Sequence, residues 1–376
     1  MALIHDFLLD LRGAERVFLA LCGIYPEAPI YTPVYDEDGT EGRFAQRDIR
    51  TSFLQKLRPT QRTFRALLPF YPSAVEAFDL SGFDLIISSS SAWAHAVIYD
   101  ERAVHVCYCH NPFRYVWNDR DATLAQRDPL TRGALRMLFR RWRQWDWIAA
   151  QRVNRYVTNS RTTQARIRAY FGRESTVVHP PVDTGRFSPG TPGDHYLVLS
   201  ELMPHKRIDL AVHAFNQMKR PLLIVGDGPD MRRLRKLAGP TVTFAGRVSD
   251  DEAARLLQAS RALVVTAVEE FGIAAVEAQA AGRPAIAPSR GGALETVRDG
   301  VTGRLWDGGV DELVRAVEGF DVDAVDQAAC VANARRFDTN VFSAAFPREV
   351  ERALEERGAD HRPAPRTRFA WSPSRR

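Results

Sequence analysis

Cysteine, lysine and long apolar runs are all scarce in this chain. Four cysteines among 376 residues are too few for the dense disulfide framework of a small secreted domain. The longest uncharged apolar stretches fall short of the ~20 residues that a membrane-spanning helix needs. Residues 1–6 lack the basic segment and apolar core of a signal peptide, so we expect reduced thiols and a cytoplasmic protein.

The positive charge is concentrated at the C-terminal end. The chain has 51 Lys and Arg against 46 Asp and Glu, a formal net charge of +5. Residues 357–376 contain six Arg and one Asp, which is +5, so the other 356 residues carry 45 charges of each sign. A neutral body argues against nucleic acid as a partner. The segment 358–376, rich in Pro, Arg and Ser, is predicted to be a disordered basic tail.

Short apolar runs alternate with helical patterns, which is typical of parallel sheets built from βαβ units. The strands predicted in the first half are Leu3–His5, Ile30–Val34, Phe83–Ser88, Val104–His110, Arg155–Asn159 and Thr176–His179. Those predicted in the second half are Tyr196–Ser200, Leu222–Gly226, Val242–Gly246, Ala262–Thr266 and Ala285–Pro288. We therefore predict an α/β protein of two doubly wound, Rossmann-like domains, 1–186 and 196–338, joined by a Pro- and Gly-rich linker, 187–195.

One long helical segment, Leu130–Val153, allows two interpretations. Its Leu and Trp residues recur at helical spacing, which predicts a face packed into the core. Four arginines follow a neighbouring face: Arg132, Arg136, Arg140 and Arg143. Basic residues around tryptophans are also typical of a helix that lies on an anionic membrane. The two interpretations are compatible if only the arginine face meets lipid.

Two acids eight residues apart form the first candidate site. Glu269 lies in the turn after the predicted strand Ala262–Thr266, and Glu277 lies more than one turn inside the following helix. The backbone amides between them form a helix N-terminus, which attracts anions. Two carboxylates around an anion site suit a ligand with hydroxyls at both ends and phosphate in the middle, such as a nucleotide sugar. An isolated pair of this kind is more often a capping acid and a solvated loop acid.

Three further segments follow neighbouring strands of the second half. Lys206 and Arg207 begin a helix after Tyr196–Ser200. A glycine-rich turn, Gly226-Asp-Gly-Pro229, follows the next strand, and Gly291-Gly292 precedes Leu294-Glu-Thr-Val297. Each segment alone is weak evidence, because such turns are common. Their order and spacing together are specific.

With these segments, residues from about 196 to 306 closely resemble the donor domain of the retaining, metal-independent glycosyltransferases of family 4, which have the GT-B fold. The first half resembles the same family: His5-Asp6 with residues 12–17 is similar to its N-terminal glycine loop, and residues 109–117 to the segment with its active-site histidine. The resemblance covers residues 1–340. Around Lys206 and Glu269 it is most similar to mannosyltransferases of bacterial exopolysaccharide and O-antigen assembly.

The resemblance implies a role for each domain and for several residues. Domain 1–186 binds the acceptor, domain 196–338 binds the donor, and a last helix, 339–357, crosses back to the first domain across a central cleft. The implied catalytic residues are His110, Glu269 and Lys206. The implied donor-binding residues are Gly13, Lys206, Arg207, Gly246, Glu269, Phe271, Gly272, Ile273 and Glu277, with Glu277 on the ribose, Glu269 on the sugar and Lys206 with Arg207 on the diphosphate. No metal ion and no other cofactor is implied.

The implied activity is transfer of a hexose, with mannose from GDP-mannose as the expected donor sugar, onto a glycan or polyprenyl-diphosphate-linked acceptor in cell-surface polysaccharide biosynthesis. The arginine helix and the tail extend this expectation to contact with the inner face of the cytoplasmic membrane. The alternatives are a UDP-sugar-dependent transferase and an inactive sugar-nucleotide-binding subunit. Two departures bear on the choice, since Arg12 stands where many members have glycine and Glu201 where many have arginine. An acid cannot bind phosphate, so either Arg207 substitutes for that arginine or diphosphate affinity is reduced.

Overall fold

The computed structural model describes residues 1–61, 63–125 and 127–360. The strands of the first half are β1 (Ala2–His5), β2 (Ile30–Thr32), β3 (Ile49–Thr51), β4 (Leu85–Ser90), β5 (Val104–Cys109), β6 (Arg155–Thr158) and β7 (Ser175–Val177). Its helices are α1 (Gly13–Ile24), α2 (Tyr71–Glu76), α3 (Arg120–Ala125), α4 (Pro129–Arg152) and α5 (Arg161–Phe171). The strands form one parallel sheet in the order β3-β2-β1-β4-β5-β6-β7.

The second half repeats this architecture with six strands. They are β8 (Tyr196–Leu199), β9 (Leu222–Val225), β10 (Val242–Gly246), β11 (Leu263–Val264), β12 (Ala285–Pro288) and β13 (Gly303–Trp306), in the parallel order β10-β9-β8-β11-β12-β13. The helices are α6 (Ile208–Met218), α7 (Met231–Leu237), α8 (Asp250–Ala259), α9 (Ile273–Ala280), α10 (Ala293–Thr296), α11 (Val310–Glu318), α12 (Gln327–Ala334) and α13 (Thr339–Asp360). Two doubly wound α/β units therefore follow one another, which confirms the predicted fold class.

The strands are apolar because helices cover both faces of each sheet. Every residue of β4, β5 and β12 is buried. In the first sheet, Ile86 belongs to one core and its neighbour Ile87 to the core on the opposite face. Alternate side chains of a strand point to opposite faces, so one run of apolar residues supplies both cores.

The strand order reverses direction once in each sheet. In the first sheet this switch point lies between β1 and β4, and in the second between β8 and β11. Doubly wound sheets bind ligands in the crevice at such a point, where the two strands lead into helices on opposite faces. The loops after β1, β8 and β11 carry the segments of residues 6–12, 200–207 and 265–272, and the last two include five of the ten candidate residues: Lys206, Arg207, Glu269, Phe271 and Gly272.

The last helix, α13, belongs by its contacts to the first half. Phe342, Phe346 and Val350 are buried in the core that contains Leu3 and Tyr108. We call the first sheet, its helices and α13 the N-terminal lobe, and the rest of the second half the C-terminal lobe. The helix ends at Asp360, so the prediction of a disordered tail from residue 358 is wrong for residues 358–360, and the remainder of that tail lies outside the described residues.

Helix α4 has both a packed face and an exposed face. Phe139, Trp142 and Ala149 are buried in the N-terminal core, as expected for a periodic apolar face. Arg143 is not a free surface charge, because its Nε donates to the carbonyl of Val116 at 3.0 Å. The opposite face exposes four large apolar residues: Leu130, Met137, Trp147 and Ile148. Within the described residues, no helix is both long and apolar enough to span a membrane.

Candidate active site in the cleft between the lobes

Two helix N-termini approach each other where the lobes meet. A Cβ atom on Gly13, the first residue of α1, would lie 3.3 Å from Cδ1 of Ile273, the first residue of α9. The leading amides of a helix have no partner within the helix, and the helix dipole gives that end a partial positive charge. Two such ends in one cleft make it favourable for an anion.

Lys206 and Glu269 lie together at the N-terminus of α9. Lys206 Nζ donates to Glu269 Oε1 at 2.7 Å, and both side chains are about one quarter exposed. Thr266 Oγ1 donates to the carbonyl of Lys206 at 2.7 Å and so ties the loop after β8 to the loop after β11. The structure brings together the cation and the first acid that the sequence placed in one site.

The glycine pair Gly291-Gly292 supports this loop from behind. A Cβ at Gly291 would lie 2.4 Å from the carbonyl oxygen of Glu269, and one at Gly292 would lie 2.2 Å from Cα of Phe271. The amide of Gly292 also donates to the carbonyl of Glu269 at 2.9 Å. Only glycine permits so close a backbone approach, so this pair fixes the position of Glu269.

Phe271 and Gly272 direct the backbone rather than a side chain towards the cleft. The Phe271 ring is buried and packs against Phe337 with ring centroids 5.3 Å apart. Gly272 adopts φ 92°, in the left-handed region, and precedes the first residue of α9. This conformation turns the chain from the loop into the helix and leaves the amides of the first turn at the helix end.

Glu277 lies one turn further along α9, next to charged residues of both lobes. Burial raises its pKa, and the positive charges of Arg16 in α1 and Arg186 oppose that rise. Arg16 Nη2 is also held by both carboxylate oxygens of Asp250 at 2.7 Å. The second acid thus lies at the same interface of the lobes as the first.

His110 stands at the end of β5 in the N-terminal lobe. Its Nε2 lies 2.8 Å from Ser89 Oγ, and Asn159 donates to its carbonyl at 2.9 Å. Burial, and then the nearby His5, lower the pKa of His110 to about 3. The ring is therefore neutral at pH 7 and suited to hydrogen bonding rather than to supplying positive charge.

Two of the predicted donor-binding residues have unexpected geometry. Arg207 adopts φ 52°, and its Nε lies 3.5 Å from Oδ1 of Asp209, with which its side chain forms an ion pair. Gly246 adopts φ 75° at the end of β10, where an added Cβ would meet nothing within 4 Å. Gly246 is thus required by its backbone conformation and not by lack of space.

Sequence reasoning missed a set of ion pairs that join the lobes. Glu270 accepts from Arg114 and Arg166 of the N-terminal lobe, both at 3.0 Å. Burial raises the pKa of Glu270, but the two guanidinium groups outweigh burial and bring it below its ordinary value. Glu270 adjoins Glu269 in the sequence, and only this adjacency could have indicated a role.

Asp6 was also missed as an organising residue. This carboxylate is 2% exposed and accepts hydrogen bonds from four successive backbone amides, those of residues 91–94 after β4. It thereby fixes the loop at the switch point of the first sheet, next to the strand that carries Ser89. Asp6 therefore acts by positioning the backbone of residues 91–94.

The comparisons with known proteins agree with this arrangement. Residues 11–186 match the family model described as Glycosyltransferase Family 4, and residues 186–337 match the model described as Glycosyl transferases group 1. HepE of Anabaena, solved with UDP and glucose, superposes with a TM-score of 0.71 at 19% identity, covering 93% of this chain and 99% of that one. Sucrose-phosphate synthase from Thermosynechococcus elongatus gives a TM-score of 0.71 at 18% identity, covering 95% and 100%.

Curated relatives match over part of the chain. A D-inositol 3-phosphate glycosyltransferase of Mycobacterium leprae is 31% identical over 210 residues, which is 47% of this chain and 49% of the relative. A GDP-mannose-dependent alpha-(1-6)-phosphatidylinositol monomannoside mannosyltransferase of Mycobacterium tuberculosis is 36% identical over 212 residues, covering 46% and 54%. The chain therefore spans about half the length of these relatives. Because the two family models together span residues 11–337 and the neighbours share both sheets, the chain belongs to glycosyltransferase family 4, with the GT-B fold.

Proposed function

We propose that this chain is a retaining hexosyltransferase that takes mannose from GDP-mannose. The observation that carries the proposal is the Lys206–Glu269 pair at the N-terminus of α9, with Glu277 on the same helix and the N-terminal lobe opposite. The mannosyltransferase of Mycobacterium tuberculosis, which is GDP-mannose-dependent by name, supports the choice of donor.

Each group in the cleft has a distinct task in the proposed complex. Glu277 accepts the ribose hydroxyls and Glu269 those of the sugar, since a carboxylate can accept two hydroxyl protons at once. Lys206 then turns from Glu269 to the diphosphate, and the first amides of α9 hydrogen-bond the same group. These donors stabilise the charge that develops on the leaving diphosphate as the bond to C1 breaks.

Retention follows from where the acceptor proton goes. As the C1–oxygen bond lengthens, C1 gains oxocarbenium character and a diphosphate oxygen gains charge. That oxygen takes the proton of the acceptor hydroxyl on the same face, so that the new bond forms where the old one broke. Neutral His110 orients the reacting groups by hydrogen bonding, because with a pKa of about 3 its ring is uncharged at pH 7.

Metal independence is part of the proposal. Lys206 and the helix N-terminus occupy the place in the reaction that a divalent cation has in metal-dependent transferases. Transfer should therefore continue in excess EDTA. Loss of activity in EDTA, restored by Mg²⁺ or Mn²⁺, would contradict this part of the proposal.

The donor can be identified by thermal shift with GDP-mannose, GDP-glucose, UDP-glucose and UDP-N-acetylglucosamine. A ligand that binds only the native state raises the unfolding midpoint, and we expect the largest rise with GDP-mannose. Glu277→Gln should abolish that rise, whereas Glu318→Gln, at an exposed residue of α11, should preserve it. A larger rise with a UDP-sugar would assign the chain to the UDP-sugar-dependent alternative.

Slow hydrolysis of the donor separates an enzyme from an inactive binding subunit. A transferase without acceptor passes its sugar to water, and the released sugar keeps the donor's anomeric configuration if the enzyme retains. We expect the Lys206→Ala variant to lose this hydrolysis. Wild-type protein that binds the donor but releases no sugar would support the binding-subunit alternative.

We propose that the acceptor is a glycan or a polyprenyl-diphosphate-linked sugar in cell-surface polysaccharide biosynthesis, reached from the inner face of the membrane. Besides its four exposed apolar residues, α4 presents exposed Arg136 and Arg140 to solvent. A cavity of about 520 Å³ between α3 and α4 is lined in part by Arg120, Arg132 and Arg136. Apolar side chains among arginines favour an interface with anionic headgroups.

Flotation with vesicles tests the membrane contact. Wild-type protein should float with vesicles containing phosphatidylglycerol and stay behind with pure phosphatidylcholine. Met137→Glu combined with Ile148→Glu should abolish flotation, whereas Val301→Glu, at an exposed apolar residue of the C-terminal lobe, should leave it unchanged. Absence of flotation with anionic vesicles at low salt would refute membrane docking.

A further inference from the structure

The two residues that depart from the family pattern contact each other across the cleft. Arg12 Nη1 donates to Glu201 Oε2 at 2.8 Å, although 189 positions separate the two residues in the sequence. Arg12 precedes α1 in the N-terminal lobe, and Glu201 follows β8 in the C-terminal lobe. The acid that stands near the proposed diphosphate site is thus paired with a cation from the opposite lobe.

Arg12 is held in position by two carboxylates. Besides its bond to Glu201, its Nε donates to Asp10 Oδ2 at 2.8 Å. The Asp10 side chain is 12% exposed and that of Arg12 is 41% exposed. A largely buried carboxylate therefore holds a guanidinium that is accessible from the cleft. Among the described residues, none accepts a hydrogen bond from Arg12 Nη2, which leaves donor capacity for a ligand.

The position of Arg12 places it beside the proposed anion site. A Cβ atom on its neighbour Gly13 would lie 3.3 Å from Cδ1 of Ile273, at the N-terminus of α9. Its partner Glu201 lies on the loop that continues to Lys206, whose amine is 2.7 Å from Glu269. Arg12 and Lys206 therefore approach the same helix end from the two lobes.

We propose that Arg12 is a ligand of the donor diphosphate, supplied by the N-terminal lobe, and that Glu201 positions its guanidinium. This inference rests on the proposed function. An unpaired acid at residue 201 would repel a diphosphate, whereas Glu201 is paired with Arg12, and Asp10 is paired with Arg247 as well as Arg12. Further N–H groups of Arg12 remain to bind phosphate oxygens. Glu201 leaves the C-terminal lobe without a positive charge at this position, and Arg12 of the N-terminal lobe provides it. The diphosphate site is therefore complete only when the two lobes are together.

Calorimetric titration with GDP and with guanosine, or with UDP and uridine if the donor is a UDP-sugar, tests the assignment. Arg12→Gln should weaken binding of the nucleoside diphosphate by roughly 10- to 100-fold, the range of one charge-assisted hydrogen bond, and leave nucleoside binding within about twofold. Arg50→Gln is the matched control, because Arg50 forms an ion pair of the same 2.8 Å length on β3, at the far edge of the sheet. It should bind like the wild type.

Two further variants separate a ligand from a mere latch between lobes. Glu201→Gln should weaken diphosphate binding less than Arg12→Gln does, since Asp10 still holds the guanidinium. The double variant Arg12→Gln/Glu201→Arg carries a guanidinium on the C-terminal lobe and should recover most of the lost affinity.

The inference fails if Arg12→Gln binds the diphosphate within twofold of the wild type, or loses nucleoside affinity equally. It also fails if Glu201→Gln is as weak as Arg12→Gln, because the pair would then act only by holding the lobes together. A wild-type protein that binds no nucleoside diphosphate at all would instead overturn the proposed function itself.

Discussion

Asp6 offers a demanding test of how a buried carboxylate organises the N-terminal lobe. Its Oδ2 accepts from the amides of Ser91 and Ala92 at 2.5 and 3.0 Å, and its Oδ1 from those of Trp93 and Ala94 at 2.8 and 2.6 Å. The side chain is 2% exposed, so water cannot replace these bonds. Asp6→Asn keeps the shape but replaces one oxygen with an NH₂ group.

The expected cost follows from the bonds that such a change removes. An asparagine has one acceptor oxygen, so two of the four amides face a donor instead of an acceptor. A buried donor left without its partner costs about 1–3 kcal/mol, and two of them cost about 2–6 kcal/mol of the free energy of unfolding. Because most of the proposed nucleotide contacts lie in the C-terminal lobe, the Asn variant should still show a thermal shift with its donor at low temperature.

Asp128→Asn is the matched control for this experiment. Asp128 caps α4 by accepting from the amides of Leu130 and Thr131, both at 3.1 Å, but it lies at the surface. Asparagine caps helices as well as aspartate does, so the control should change stability by less than ~0.5 kcal/mol. Denaturant unfolding followed by tryptophan fluorescence compares the two. If Asp6→Asn and Asp128→Asn lower the free energy of unfolding by amounts within ~0.5 kcal/mol of each other, the argument from burial is refuted.

Three further outcomes follow from the titrating groups. Burial raises the pKa of Glu277, so its negative charge destabilises the folded state once the pH is above that pKa. Glu277→Gln should therefore raise the unfolding midpoint at pH 7.5, by an amount that becomes smaller in acid. An unchanged midpoint at pH 7.5 would contradict this. Burial lowers the pKa of His105 to about 3, so the stability that its neutral form gives above pH 6.5 is lost as the pH falls, by about 2 kcal/mol at pH 5. His105→Gln should remove that part of the pH dependence of the free energy of unfolding, measured by denaturant titration. The same pH dependence in the variant and in the wild type would argue against this. Glu270→Gln should loosen the lobes and increase the radius of gyration in X-ray scattering, because Arg114 and Arg166 lose a charged partner; identical scattering would count against a bridging role.

Most strands could be predicted because a buried parallel strand leaves a clear apolar run. The run 104–110 coincides with β5 to within one residue. Two edge strands were missed, β3 and β13, and each carries an arginine, Arg50 or Arg304, within only three or four residues. An edge strand is covered less completely and need not be apolar, so its sequence gives little signal.

The candidate site was predictable to the extent that it depends on loops at strand ends. Lys206, Glu269 and Glu277 could be grouped because parallel strands place their carboxyl ends at one edge. The orientation of Arg207 could not, because a left-handed backbone at that residue turns its side chain towards Asp209. Nor could the ion pairs between the lobes, since Arg12 and Glu201 are each an anomaly until the fold brings them together.

The way in which the cleft neutralises its own charges indicates what ligand it suits. Lys206 is paired with Glu269, and Arg12 with Asp10 and Glu201. A diphosphate that takes Lys206 away leaves the Glu269 carboxylate without its cation, which is costly in a partly buried site. A sugar hydroxyl that donates to Glu269 removes this cost. Binding of the diphosphate to Lys206 and binding of the sugar to Glu269 therefore favour each other. A complete nucleotide sugar should gain more binding free energy from this exchange of partners than a nucleoside diphosphate alone.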